Sequence, residues 1–152
     1  MAFRDIVGSI LNRHLGGPYR ILGEKSLAGG LGASVDVACF NLVIRVFQGR
    51  MAEFYIDVAA AREPEKWYEL VYLLILASGE APDASKVAVG HSLADLEIFV
   101  QKFARYRVLI VSLLDVGNVL KTQEQIREIK EITMDPAIRA LLKTRPRAPG
   151  SS

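Results

Sequence analysis

The sequence predicts an α+β fold: an N-terminal helix, an antiparallel meander of three or four strands, and a helical C-terminal half packed on that sheet. Three stretches of apolar patterning carry this expectation. Apolar residues recur at helical spacing over residues 3–14, alternate with a period of two over residues 35–39 and 52–58 on either side of a β-branched run at 42–47, and return to helical spacing beyond residue 65. At 152 residues and 16.7 kDa the chain matches one domain whose core needs no disulfide or metal to hold it. That domain is expected over residues 1–143, with residues 144–152, rich in Pro, Gly and Ser, as a flexible tail.

Phe3, Ile6, Val7, Ile10, Leu11 and His14 fall at three- and four-residue steps, which predicts an amphipathic helix that Gly16-Gly17-Pro18 stops. A strand follows near Arg20 to Leu27, then a Gly-rich loop from Ala28 to Ser34. Val35, Val37 and Cys39 alternate with Asp36 and Ala38, as side chains do on the two faces of a strand. Phe40-Asn41 turns the chain into Leu42-Val43-Ile44-Arg45-Val46-Phe47, rich in β-branched and aromatic residues, and Gln48-Gly49-Arg50 supplies a second turn. In the next strand, Ala52 to Val58, the residues Phe54, Ile56 and Val58 face the core while Glu53, Tyr55 and Asp57 face away.

Pro64 suits the first position of a helix and Gly79 its far end, which predicts a helix over Glu65 to Ser78. Trp67, Leu70, Val71 and Leu74 line one side of it. Tyr68, Tyr72, Leu73 and Leu76 make the other side nearly as apolar, so this helix must be covered twice. Ser92-Leu93-Ala94-Asp95 resembles a capping box opening a long helix towards Leu120, with Leu96, Phe99, Phe103, Tyr106, Ile110 and Leu113 as its packing seam. Thr122 and Gln125 form a second capping pattern, and Asp135-Pro136 opens a short helix reaching Leu142.

The composition, 51% apolar and 24% charged with a mean hydropathy of +0.22, excludes a disordered chain. Cys39, the single cysteine, sits in an apolar run and points to a reducing compartment. Leu70 to Gly79, the longest charge-free apolar run, is half the ~20 residues a membrane-spanning helix needs. Arg4 and Asp5 interrupt any secretory core, so the expected location is cytoplasmic, with no membrane partner. Charge is segregated: residues 51–100 carry nine acids against three bases, and residues 101–152 carry ten bases against five acids. Such a distribution orients a charged partner, although ordinary solvated faces produce the same pattern.

The apparent chemical motifs fail on inspection. Gly90-His91-Ser92-Leu93-Ala94, following Lys86-Val87-Ala88-Val89, has the form of the nucleophile elbow of α/β-hydrolases. No histidine follows His91 to take the serine's proton, and His14 is the only other one, so Ser92 is expected to cap a helix. Gly29-Gly30-Leu31-Gly32 lacks the Lys-Ser/Thr pair and the strand-to-helix setting of a phosphate loop. Two histidines and one cysteine leave no usual zinc ligand set, and no acids have EF-hand spacing. The carboxylate pairs Glu53/Asp57 and Glu65/Glu69 are of the type that shares acid–base work. Alternation puts the first on the surface side of a strand, and the predicted helix exposes the second, so solvation accounts for both. The basic C-terminal end lacks the interleaved aromatics and reading helix of a nucleic-acid binder. The expectation is therefore no catalytic residue, no cofactor, no metal and no nucleic-acid partner.

The order Asn41-Leu42-Val43-Ile44-Arg45-Val46-Phe47-Gln48-Gly49-Arg50, then Glu53-Phe54-Tyr55-Ile56-Asp57-Val58-Ala59, then Trp67-Tyr68-Glu69-Leu70, resembles small bacterial immunity-type proteins of toxin–immunity systems. In many of those proteins an apolar, Arg-bearing strand turns at an Arg-Gly pair, returns to an Asp-hydrophobe pair and leads to a Trp-bearing helix. Here the turn reads Gly49-Arg50, the reverse order, and the resemblance is confined to residues 41–70. It implies a non-enzymatic protein-binding module that blocks a cognate toxin. Tyr55, Tyr68, Tyr72, Glu65 and Glu69 are the candidate partner-binding residues, because aromatics bury much area at little entropic cost and the acidic middle third suits a basic partner. Two alternatives stand beside this: a homo-oligomeric structural or regulatory protein, such as a homodimer, and a small-molecule binder with a pocket between sheet and helices.

Overall fold

The computed structural model describes residues 2–26, 32–82 and 89–134. The expected short helix from Asp135 and the 144–152 tail lie outside those residues. In chain order the elements are α1 (Phe3–His14), β1 (Arg20–Ser26), β2 (Gly32–Cys39), β3 (Leu42–Gly49), β4 (Phe54–Ala60), β5 (Tyr68–Glu69), α2 (Leu70–Ser78), α3 (Leu93–Leu113) and α4 (Val119–Thr133). The strands pair antiparallel in sequence order, four long ones and a two-residue fifth. Helices cover one face of this sheet, giving the α+β class expected.

Phe40 and Asn41 join β2 to β3 with φ of 52° and 64°. Positive φ at both central positions is the type I′ geometry, whose twist matches that of the flanking strands. Asn tolerates it, whereas a bulky side chain is strained there by about 1–3 kcal/mol. Packing of the Phe40 ring offsets that strain. The Arg107 guanidinium lies 4.6 Å from the ring centroid. On another side the backbone of Gly17 comes so near that a Cβ would stand 2.7 Å from the ring.

Alternation places Val35, Val37 and Cys39 of β2, Leu42, Ile44 and Val46 of β3, and Phe54, Ile56 and Val58 of β4 on the inner face, all buried. Against β2, α1 presents Phe3, Val7, Ile10 and Leu11. Leu96, Val100, Phe103 and Ile110 are the buried residues of α3, which packs on α1, α2 and β4. The nearly all-apolar α2 is surrounded by β4, α3 and α4, which meets its need for cover on two sides. Helix ends are held by distant side chains. Glu24 of β1 accepts from the Arg4 N–H at 2.7 Å, where Ala2 offers no capping side chain. Arg62 donates to the Leu114 carbonyl at 2.6 Å, beyond the end of α3. Cys39 is buried, and burial pushes its thiol up to about 12.

Several boundaries differ from the expectation. The helix predicted from Glu65 begins at Leu70, because Tyr68 and Glu69 pair with Val58 and Asp57 as a fifth strand. Residues 61–65 form turns instead, so Trp67 and Tyr68 leave the helix. The long helix ends at Leu113 rather than near Leu120. Asp115 Oδ1 accepts from the Val116 N–H, and Asn118 Nδ2 donates to the Ser112 carbonyl, each at 2.9 Å, which closes a turn before α4. Thr122, expected as a cap, is buried inside α4 and donates to the Leu113 carbonyl at 2.6 Å, tying the two helices together. β2 starts at Gly32, inside the expected loop, and β4 runs over Phe54–Ala60 rather than 52–58.

Ser92 is the N-cap of α3: its hydroxyl accepts from the Asp95 N–H at 3.1 Å, and the Asp95 carboxylate accepts from the His91 N–H at 2.9 Å. Those bonds, the one from His91 foremost, hold the Asp95 carboxyl below the usual aspartate range. Just before the cap, Gly90 is bonded to Phe54 of β4 through both its N–H and its carbonyl, as an isolated antiparallel bridge. A Cβ there would stand 2.7 Å from that of Asp95, so glycine permits the approach. The elbow thus adjoins an antiparallel sheet, and Lys86 to Ala88 lie outside the described residues. Replacing Ser92 with alanine is expected to cost about 0.5–2 kcal/mol in urea denaturation. An unchanged midpoint would refute the cap's contribution.

Candidate functional site

The outer face of the sheet follows from the same alternation that builds the core. Strand register aligns Asp36, Arg45, Asp57 and Glu69 in one row across β2 to β5, and Ser34, Phe47 and Tyr55 in the next. Residues directly opposite one another on one face interact as pairs. Arg45 donates to both oxygens of Asp36, from Nε at 2.7 Å and from Nη2 at 3.0 Å, the bidentate geometry that makes a strong charge-assisted pair. Its guanidinium also lies 4.2 Å from the centroid of the Trp67 ring. The bond to Asp36 raises the Arg45 pKa further, so its charge is permanent.

With Arg45 engaged by Asp36, the neighbouring Asp57 is poorly compensated. Its Oδ1 is enclosed and without a hydrogen-bond partner. The carboxyl is pushed up to about 6, first by burial and then by the charge of Glu69, against a smaller opposing pull from Arg45. Asp57 thus departs from the solvated carboxylate that the sequence suggested. Beside it, Tyr55 stacks on Phe47 with ring centroids 4.6 Å apart and stays 36% exposed. Its phenol is raised by burial and by the charges of Asp57, Glu53 and Glu69.

A cavity of about 260 Å³ opens at this edge of the sheet, lined by Tyr55, Ile56, Asp57, Glu69, Leu70, Val71, Val89 and Phe99. It exists because the edge of β4 is only partly covered. β5 pairs with Asp57 and Val58 alone, and Gly90 pairs with Phe54. Between them, Tyr55 and Ile56 have no strand alongside on this edge among the described residues. The polar groups of the lining come from β4 and β5, while Val71, Val89 and Phe99 complete an apolar wall.

Of the residues the sequence proposed, the structure brings Tyr55 and Glu69 together at this cavity. Tyr68 turns to the other side of β5 and accepts from Gln123 Nε2 of α4 at 2.9 Å. Tyr72 lies on α2 with the Lys130 ammonium 5.3 Å from its ring centroid, and its phenol is raised by burial and then by Glu69. Glu65 is exposed in the turn before β5, not on a helix. A second, more open cleft of about 420 Å³ lies between that turn and α4, lined by Lys66, Trp67, Tyr68, Gln123, Ile126, Arg127 and Lys130. Its cations already have partners. Lys66 bonds Glu63 at 3.0 Å, and Arg127 bonds Glu124 and Glu131 of its own helix.

Sequence reading missed the role of Asp57 and the contributions of Val71, Val89 and Phe99. The first has a signal in its alternation with Tyr55, while the others depend on long-range placement. No group of three His, Cys, Asp or Glu side chains able to hold a metal occurs among the described residues. No helix among them is long and apolar enough to cross a membrane. In comparisons with known proteins, no family model matches the chain, and no significant match occurs among curated proteins or solved structures.

The raised Asp57 carboxyl makes stability depend on pH. A carboxyl that holds its proton more tightly in the folded chain than in the unfolded one favours folding at low pH, and that contribution is lost as pH rises through about 6. At neutral pH the ionised group is a cost. Asp57→Asn is therefore expected to stabilise the protein at pH 7.5 by about 1–2 kcal/mol, after discounting for the partial solvent exposure of the residue. The gain should vanish below pH 4 in urea titrations at the two pH values. An equal effect at both would contradict the assignment.

Proposed function

We propose that this protein is a non-enzymatic protein-binding module that docks a positively charged partner on the outer sheet face around Tyr55, Asp57 and Glu69. One observation carries the reading. The row Asp36, Arg45, Asp57, Glu69 holds three carboxylates to one guanidinium, and that guanidinium is engaged by Asp36 and Trp67. The face offers excess negative charge beside a stacked, partly exposed aromatic pair, Phe47 and Tyr55. Complementary charge steers and orients a partner. Rigid aromatics supply the anchoring area. In the form suggested by the likeness to immunity-type proteins, the partner is a basic toxin and docking blocks its active surface.

A second reading, self-association, draws support from Val108, Val116 and Leu120, which are 74%, 70% and 77% exposed near the end of α3 and the turn into α4. Sedimentation at two protein concentrations separates the two: a strict monomer removes self-association. For the first reading, the partner recovered from the native organism is identified, purified and titrated against wild type, Tyr55→Ala and Glu69→Lys. Each substitution is expected to weaken binding by about tenfold or more, or roughly 1.4 kcal/mol. Unaltered affinity in both variants would sink the proposed face.

A further inference from the structure

We propose that the cavity at the β4–β5 edge receives one basic side chain of the partner, its aliphatic stem lying against Val71, Val89 and Phe99 and its cationic head meeting Asp57 and Glu69. This deepens the docking reading above and rests on it. The cavity has the right size for such an occupant. At about 260 Å³ it falls below the roughly 300–1,000 Å³ typical of small-molecule sites, yet it has room for a single long side chain.

Its chemistry is divided as that occupant is divided. Ile56, Leu70, Val71, Val89 and Phe99 form an apolar lining, and the polar groups are Tyr55, Asp57 and Glu69. Lysine and arginine have the matching form, an apolar stem with a charged tip.

The sign of the charge follows from competing terms. Leu70 and Val71 belong to the first turn of α2, whose dipole presents roughly half a positive charge to the cavity. Two carboxylates outweigh it, so an anionic ligand would meet net repulsion and a cation net attraction. Within the chain, the charged groups acting on Asp57 are Glu69 from β5, which adds repulsion, and Arg45 from β3, which already bonds Asp36. Tyr55 from β4 contributes only a neutral phenol. A cation from outside supplies the compensation that the fold leaves incomplete, and it draws Asp57 back towards the ordinary carboxylate range.

The test uses n-butylammonium as the side-chain probe and n-butanol as its neutral counterpart, each titrated into the full chain and followed by nuclear magnetic resonance. Saturable shifts are expected at Tyr55, Val71, Val89 and Phe99 with the cation alone, at a dissociation constant on the order of millimolar for so few atoms. Lowering the pH from 7 to 5 should weaken binding about tenfold as Asp57 takes up its proton. Asp57→Asn should abolish binding. Val89→Trp, which fills the cavity from an exposed position, should do the same by volume alone. Equal binding of butanol, or of butylammonium to both variants, would overturn the proposal. So would a micromolar constant for butylammonium, which would reassign the cavity to a free amine. If butylammonium fails to bind while Tyr55→Ala and Glu69→Lys still weaken the purified partner, only this inference falls. If butylammonium binds as described but the partner ignores those substitutions, the docking face is wrong and the occupant cannot come from that partner.

Discussion

Side chains along a strand alternate, so the register that buries Ile44, Val46, Ile56 and Val58 also aligns Asp36, Arg45, Asp57 and Glu69 on the opposite face. Core and candidate site are two readings of one pairing. A slip of one residue in β4 would turn Tyr55 and Asp57 inward and Ile56 and Val58 outward. Burying an uncompensated carboxylate costs several kcal/mol. That penalty, added to the lost apolar burial, holds the register firmly. The outer face is thereby set by the requirements of the core.

Within the row, the balance of charge is uneven in a way that geometry makes consequential. Arg45 stands between Asp36 and Asp57 but gives its bidentate bonds to Asp36, and the ring of Trp67 covers its face. The stacking depends on the short β5. Were residues 65–69 helical, Trp67 would point along α2 instead of lying on the sheet. Sheet pairing at Tyr68 and Glu69 therefore does two things at once: it places Trp67 over Arg45, and it brings the Glu69 charge beside Asp57.

The two edges of the sheet are handled differently. β1 carries Arg20, Glu24 and Lys25 exposed on its length and a register shift between Ile21 and Gly23, features that discourage another strand from pairing there. The β4 side is closed in pieces, by two residues of β5 and by the Gly90 bridge. The cavity sits where that closure is incomplete. The space at this edge comes from an interruption in backbone pairing, lined by side chains from β4, β5, α2 and α3 together with Val89.

Local sequence determined the class of the fold, the first helix, the alternation of β2 to β4, the Phe40-Asn41 hairpin and the Ser92 cap, because each depends on neighbours a few residues apart. It also placed Tyr55 and Asp57 on one face. Helical spacing predicts a helix running towards Leu120, whereas bonds at Asp115 and Asn118 close a turn after Leu113. Only the tertiary structure decided that residues 68–69 form a strand, that Arg45 bonds Asp36 rather than Asp57, and that Val89 and Phe99 join Tyr55 around a cavity. Those outcomes depend on hydrogen bonds, charges and contacts between residues distant in the chain, whose relative strengths are set only once packing has fixed the distances between them.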